Sequence, residues 1–258
     1  MANQLKRLWA AGRAAVNGWL AIPSGFSAEV IARCGFDTVT VDLQHGVQDY
    51  RSMVECFQAM AAHPVTPLVR VPWNEPGIIG KVLDGGAMGV ICPMVNNRRE
   101  AEALVRSAKY PPRGSRSNGP IRAGLYGEAG GYQATADVET LVLPMIETRE
   151  AVDNMEEILD VPGIAGVYVG PTDLAFSYGK APRFDHDDPF FLEIYGRLIA
   201  GCQRRGLYAG IHTRGADYAA RAIGMGFRLV TILNDSGLMA QAATEAVALV
   251  RRDAGGLA

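Results

Sequence analysis

Apolar residues along this chain gather in short runs rich in Val, Ile, Leu and Thr. Longer segments separate them, in which apolar positions recur at helical spacing. The runs AVNGWLAI (15–22), DTVTVDL (37–43), TPLVRVP (66–72), GVICPMV (89–95), TLVLPMIE (140–147), AGVYVG (165–170), YAGIHT (208–213) and RLVTILND (228–235) read as eight strands. They are near-continuous rather than alternating, as parallel strands covered on both faces should be. The intervening segments read as helices. Ser24 to Cys34 has Ser27 as its N-cap and Gly35 beyond its end. Asp49 to Ala62 places Met53, Cys56, Phe57 and Met60 on one face. Glu75 to Leu83, Arg98 to Lys109, a helix capped by Thr148, Asp188 to Arg205, Gly215 to Met225 and Ser236 to Arg252 complete the series. A short helix from Gln4 to Ala11 precedes the first strand and is placed to close the bottom of a barrel.

Eight strand–helix units in a chain of 258 residues match a (β/α)8 TIM barrel, expected here as one domain over residues 1–258. A doubly wound sheet generally has fewer strands, and no GxGxxG follows the first strand. Pro111 to Val138 is too glycine-rich for a helix or strand of its own. It is expected as a long loop, a kind of segment that usually carries function.

Composition narrows the class. Hydrophobic residues make up 48% and charged residues 20%, the balance of a globular protein. The net charge of −2 implies no basic surface for nucleic acid. No apolar run approaches the ~20 residues of a membrane span, and the N-terminus lacks a signal peptide's apolar stretch. Cys34, Cys56, Cys92 and Cys202 follow no metal-binding or disulfide spacing. A soluble, cytoplasmic protein with reduced thiols is the expectation.

In such a barrel the C-terminal ends of the strands carry the chemistry. Asp42, Gln44 and His45 close the second strand, Arg70 lies in the third, Glu147 ends the fifth and Thr172 and Asp173 follow the sixth. Glu147 and Asp173 are hard oxygen ligands on neighbouring strands, suited to Mg2+, Mn2+ or Co2+ with positions left open. The alternative is that both only cap the helices that follow them. Arg70 within an apolar strand needs a partner, either a structural carboxylate or an anion it stabilises. His45 is a surface turn residue or a general base, since imidazoles exchange protons near neutral pH. Asp84 ends a helix, and matters chemically only if it bonds to His45 and fixes its tautomer. The Gly170–Thr172 turn can present backbone N–H groups to a carboxylate or be an ordinary tight turn. His212 suits packing or specificity, and His63 and His186 read as loop residues.

These residues, in this order, resemble the HpcH/HpaI aldolase family of class II pyruvate aldolases over nearly the whole chain. VDLQHG (41–46), PLVRVPW (67–73), VLDGGAMGVICPMV (82–95), YPPRGSR (110–116) and the run from LPMIE to GPTDLAFSYG (143–179) carry the resemblance. It implies that Glu147 and Asp173 hold a divalent metal and that Arg70 meets the pyruvate keto oxygen and stabilises the enolate. His45 oriented by Asp84 would be the acid–base dyad, with Asp42 supporting it, and the backbone at Gly170 and Thr172 would hold the carboxylate. It also implies a homo-oligomer, most often a hexamer, a reading that the apolar last helix LMAQAATEAVALV (238–250) supports. The sequence departs from the family at Gln44, often Glu, and at Met145, often Gln. The implied reaction is reversible addition of pyruvate to an aldehyde, in reverse the cleavage of a 4-hydroxy-2-oxo acid.

Three rivals stand beside it: a CoA-ester or phosphoenolpyruvate lyase of the same superfamily, a non-catalytic oxoacid- or metal-binding barrel, and a Schiff-base aldolase. The last requires a lysine inside the barrel. Lys6, Lys81, Lys109 and Lys180 all lie away from the strand ends. Borohydride added with pyruvate is therefore expected to leave activity intact. A pyruvyl-lysine adduct in the mass spectrum would overturn that expectation.

Overall fold

Eight parallel strands close into a barrel in chain order, each pairing with its sequence neighbour and the last with the first. The computed structural model describes residues 2–126 and 131–253. The strands are β1 (Ala15–Leu20), β2 (Thr38–Asp42), β3 (Thr66–Arg70), β4 (Gly89–Cys92), β5 (Leu141–Ile146), β6 (Gly166–Val169), β7 (Tyr208–Thr213) and β8 (Leu229–Ile232). Helix α1 (Gln4–Ala10) precedes β1, and α2 (Gly25–Ala32), α3 (Tyr50–Met60), α4 (Pro76–Asp84) and α5 (Arg98–Ala108) follow the first four strands. Then come a 3-10 turn (Ala123–Tyr126), α6 (Gln133–Glu139), α7 (Arg149–Asp153), α8 (Met155–Leu159), α9 (Pro171–Ser177), α10 (Pro189–Arg204), α11 (Ala216–Met225) and α12 (Asp235–Asp253). Among the described residues no helix is long and apolar enough to cross a membrane.

The expected (β/α)8 architecture is present, and the differences from expectation are local. Seven of the eight expected strands are shorter than the apolar runs, because their ends turn into the loops of the mouth. Ser24 rather than Ser27 caps α2: its hydroxyl accepts the Ser27 N–H. The helix after β5 breaks at Asn154 into α7 and α8. The 111–138 stretch is not wholly irregular. QATADVE, free of glycine, forms α6, and Ala123–Tyr126 forms a single 3-10 turn.

Two apolar cores hold the barrel. One lies between strands and helices and contains residues such as Val41, Val69, Val90, Leu104 and Ile211. The other fills the barrel itself with Trp19, Leu68, Ile91, Leu143, Met145 and Tyr168, and Leu5 and Trp9 of α1 plug its base. The plug is anchored by polar contacts too. The Leu5 N–H donates to Thr66 Oγ1 at 3.2 Å, and the Trp9 indole to the Arg228 carbonyl at 2.7 Å. Above the apolar filling, side-chain hydrogen bonds join Asn17 to Thr40 and Thr231, and Tyr168 to Thr231. Buried polar groups need such partners, and here they form the floor of the mouth.

The last helix behaves differently from the rest of the outer ring. Every described residue of α12 from Met239 to Arg252 is exposed, Met239 by 62% and Val250 by 67%. On α2, the helix after β1, Phe26 and Val30 are exposed as well. An amphipathic helix ordinarily buries one stripe against its own domain.

Candidate functional site

Residues of β2 and β3 build the first half of the mouth. Asp42 and Arg70 sit opposite one another in the β2–β3 register. Arg70 donates from Nε to Asp42 Oδ1 at 2.8 Å and from Nη2 to Oδ2 at 2.6 Å, a forked pair that leaves Nη1 outside it. The Trp19 indole donates to Asp42 Oδ2 at 3.2 Å, and the Arg70 guanidinium lies 4.8 Å above the Trp19 ring. Burial works against the Asp42 charge, but the hydrogen bond and charge of Arg70 outweigh it and hold the carboxyl below its usual range. Asp42 Oδ1 also accepts the backbone N–H groups of Gln44 (3.0 Å) and His45 (3.3 Å). The turn that carries the exposed His45 is thereby tied to the end of β2.

The other half comes from β5 and β6. Glu147 follows β5 and is only 2% exposed. Its Oε1 accepts the Met94 N–H at 2.8 Å. Met94 adopts a φ of +55°, a left-handed backbone unusual for a side-chain-bearing residue and often found at functional sites. Burial, and then the charge of Asp173, push the Glu147 carboxyl up to about 7 against the opposing Met94 N–H and Arg70 charge. Asp173 occupies the first turn of α9 and is exposed. Gly170, the residue before α9, lies so close to Glu147 that a Cβ there would come within 2.3 Å of Oε2. Two carboxylates converging where one is deeply buried is the arrangement a cation relieves. The donor set is sparse: among the described residues no group of three or more His, Cys, Asp or Glu is placed to hold a metal. The two carboxylates fit a hard divalent ion that takes its remaining oxygens from solvent and substrate.

The third side is aromatic. His212 on β7 packs edge-on to Trp19 at 4.8 Å and lies 5.3 Å from the Phe184 ring. Burial first, then the Arg70 charge, push its imidazole down to about 3.

Asp84 is the expected residue that the chain does not bring to the mouth. Helix α4 returns from the end of β3 towards the start of β4, so its last residue lies at the opposite end of the strands from His45. The Asp84 carboxylate instead accepts Arg116 Nη2 at 2.6 Å, and the Arg116 side chain is fully buried. Among the described residues no hydrogen bond joins Asp84 to His45, so the expected dyad does not form within one chain. At the two departures from the family pattern, Met145 is buried beside Gly170, and no donor reaches the buried Oε1 of Gln44. Sequence reasoning passed over Trp19, Met94, Arg116 and Phe184. Trp19 and Met94 stand in apolar runs that mask their contacts. Arg116 lies in the YPPRGSR segment, whose partners only the fold reveals. His186, read as a loop residue, is 5% exposed.

A closed barrel whose mouth joins a forked Asp–Arg pair to two convergent carboxylates is the frame of a carbon–carbon lyase. The chain belongs to the HpcH/HpaI aldolase/citrate lyase family, whose model matches residues 18–242. It is 39% identical over 250 residues to a hydroxypyruvate/pyruvate aldolase from Rhizorhabdus wittichii, covering 96% of this chain and 99% of that one. It is 36% identical over 245 residues to a 4-hydroxy-2-oxo-heptane-1,7-dioate aldolase from Escherichia coli, covering 94% and 93% of the two chains. Among solved structures, an HpcH/HpaI aldolase/citrate lyase family protein from Burkholderia cenocepacia superposes with a TM-score of 0.89 at 30% identity, covering 96% of this chain and 98% of that one.

His212 gives the site a pH signature. Its folded-state value of about 3 lies below the 6.5 of an ordinary imidazole. Between these values the unfolded chain binds a proton that the folded one refuses. Stability therefore falls as pH drops through that window, by up to about 1.4 kcal/mol per unit. His212→Gln is expected to flatten this acid limb, recovering about 2 kcal/mol of the loss between pH 7 and pH 4.5 in urea titrations. An unchanged limb would show that His212 charges freely in place.

Proposed function

We propose that the chain is a class II pyruvate aldolase, cleaving 4-hydroxy-2-oxo acids to pyruvate and an aldehyde and running the addition in reverse. The observation that supports this best is the gathering of Arg70, Glu147 and Asp173 at the C-terminal ends of β3, β5 and β6 around one mouth. Glu147 and Asp173 would hold Mg2+, Mn2+ or Co2+. When bound, such an ion supplies Lewis-acid polarisation of the 2-oxo acid and neutralises the convergent carboxylates.

The chain's own residues do the rest. Asp42 takes the Nε and Nη2 donors along one edge of the Arg70 guanidinium and would leave Nη1 to meet the keto oxygen as it gains charge. Because the fork is already held, no reorganisation is needed when the enolate forms. The backbone N–H groups at Gly170 and Thr172 would receive the carboxylate beside Asp173. His45, on its Asp42-anchored turn, would take a proton from the pyruvate methyl carbon and return one during cleavage. The aromatic side formed by Trp19, His212 and Phe184 would border the aldehyde. Four free cysteines, three of them buried, suit a reducing cytoplasm.

Asp84 can orient His45 only from a neighbouring copy, so the dyad and an oligomer stand together in this reading. The exposed apolar residues of α12 and of Phe26 and Val30 support such an assembly, read as a hexamer. Light scattering at micromolar concentration is expected to give several times the 27.6 kDa of one chain. A monomer would remove both the oligomer and the dyad.

The reaction itself is tested by deuterium exchange at the pyruvate methyl group, followed by NMR without any aldehyde. Wild-type protein is expected to exchange only with a divalent metal present, EDTA abolishing it. Folded Arg70→Ala should exchange ~10²–10³ times more slowly, the usual cost of losing one preorganised donor to an oxyanion. Arg70→Lys should rescue it only in part, since lysine lacks the planar fork. Wild-type exchange in folded Arg70→Ala, or full exchange in EDTA, would defeat the reading.

A further inference from the structure

Residues 178–188 join α9, which follows β6, to α10, which precedes β7. The segment is tied down on both sides. Asp185 accepts the backbone N–H groups of Arg214 (2.9 Å) and Gly215 (3.1 Å) beyond β7. The Tyr218 hydroxyl donates to the His186 carbonyl at 2.6 Å. Between these anchors the His186 ring turns inward and lies tilted against Phe191, with ring centroids 4.1 Å apart. Its Nε2 lies 3.3 Å from the Pro171 carbonyl oxygen. A carbonyl only accepts, so a hydrogen bond here requires the tautomer that carries its proton on Nε2. A polar ring buried in a polar run of the sequence thus directs that nitrogen to one backbone atom.

That atom matters because of its neighbours. Pro171 is the first residue of α9, two positions before Asp173. In the same turn Gly170 lies against Glu147, where a Cβ would come within 2.3 Å of Oε2. The turn therefore touches Glu147 at Gly170 and His186 at the Pro171 carbonyl. We propose that His186 is a positioning residue for the divalent-metal site, setting through the Pro171 carbonyl the distance between Asp173 and Glu147. The proposal rests on the reading of those two carboxylates as ligands. His186 touches neither metal nor substrate. It acts as the outer partners of metal ligands do, whose loss typically weakens metal binding ~10–100-fold.

The test compares donor with shape. His186→Phe keeps a ring against Phe191 and removes the donor. His186→Gln gives up the ring but keeps an N–H near the position of Nε2. Binding of Mn2+ to each folded, metal-free protein is followed by the electron paramagnetic resonance signal of the free ion, with melting temperatures recorded in parallel. The Phe variant is expected to bind Mn2+ at least ~10-fold more weakly than wild type, and Gln to restore most of the affinity whatever its melting temperature. The KM for pyruvate should rise in the Phe variant with little change in the KM for aldehyde. If the Phe variant fails to fold, His186→Asn, whose amide stops short of the carbonyl, replaces it with the same expectation. Asp173→Asn separates the two ways of failing. Loss of Mn2+ binding in Asp173→Asn with wild-type binding in His186→Phe overturns the role of His186 alone. Wild-type binding in Asp173→Asn overturns the ligand reading and the proposal with it.

Discussion

The forked pair between Asp42 and Arg70 is the interaction on which the mouth depends. Two opposite charges on facing positions of β2 and β3 are taken largely out of water, at a cost that only close geometry offsets. Removing one partner from such a buried pair typically costs about 3–5 kcal/mol, because the other charge is stranded. Asp42 also holds the Trp19 indole and the amides of the Gln44–His45 turn. One carboxylate therefore sets a guanidinium, an indole and a histidine-bearing turn at once. It stays ionised because all its partners are donors.

Glu147 presents the opposite case. It is as buried as Asp42, yet Arg70, whose charge favours its ionised form, is already engaged by Asp42, while the Asp173 carboxylate opposes that form. The barrel thus saturates one acid with donors and leaves the other short of positive charge. A net charge of −2 is consistent with the proposed reading, in which the positive charge for an anionic substrate would be local, partly Arg70 and partly an ion.

Most of the barrel was legible because both faces of a parallel strand are buried and leave an unbroken apolar run. The same property blurred the strand ends: Pro93, Met94 and Val95 continue the apolar pattern while already forming loop. Strand-end residues could be read as mouth residues from their order alone, which is why Asp42, Arg70, Glu147 and Asp173 fall together. Asp84 did not, since a residue at the end of a returning helix belongs to the other end of the barrel. Arg116 and His186 sit in polar or glycine-rich stretches whose composition reads as loop. Their burial is created by what packs over them, Tyr110 and Tyr132 in one case and Phe191 in the other. No local pattern carries that information.

Trp19 belongs to both halves of this arrangement. Its ring faces His212 on the aromatic side, and its N–H and π-face serve Asp42 and Arg70 on the charged side. Phe184 and His212 stand on the aromatic side alone. Over evolutionary time the three positions therefore have unequal freedom. A change at Phe184 or His212 alters the wall alone, while a change at Trp19 also removes a hydrogen bond to Asp42 and the ring beneath Arg70.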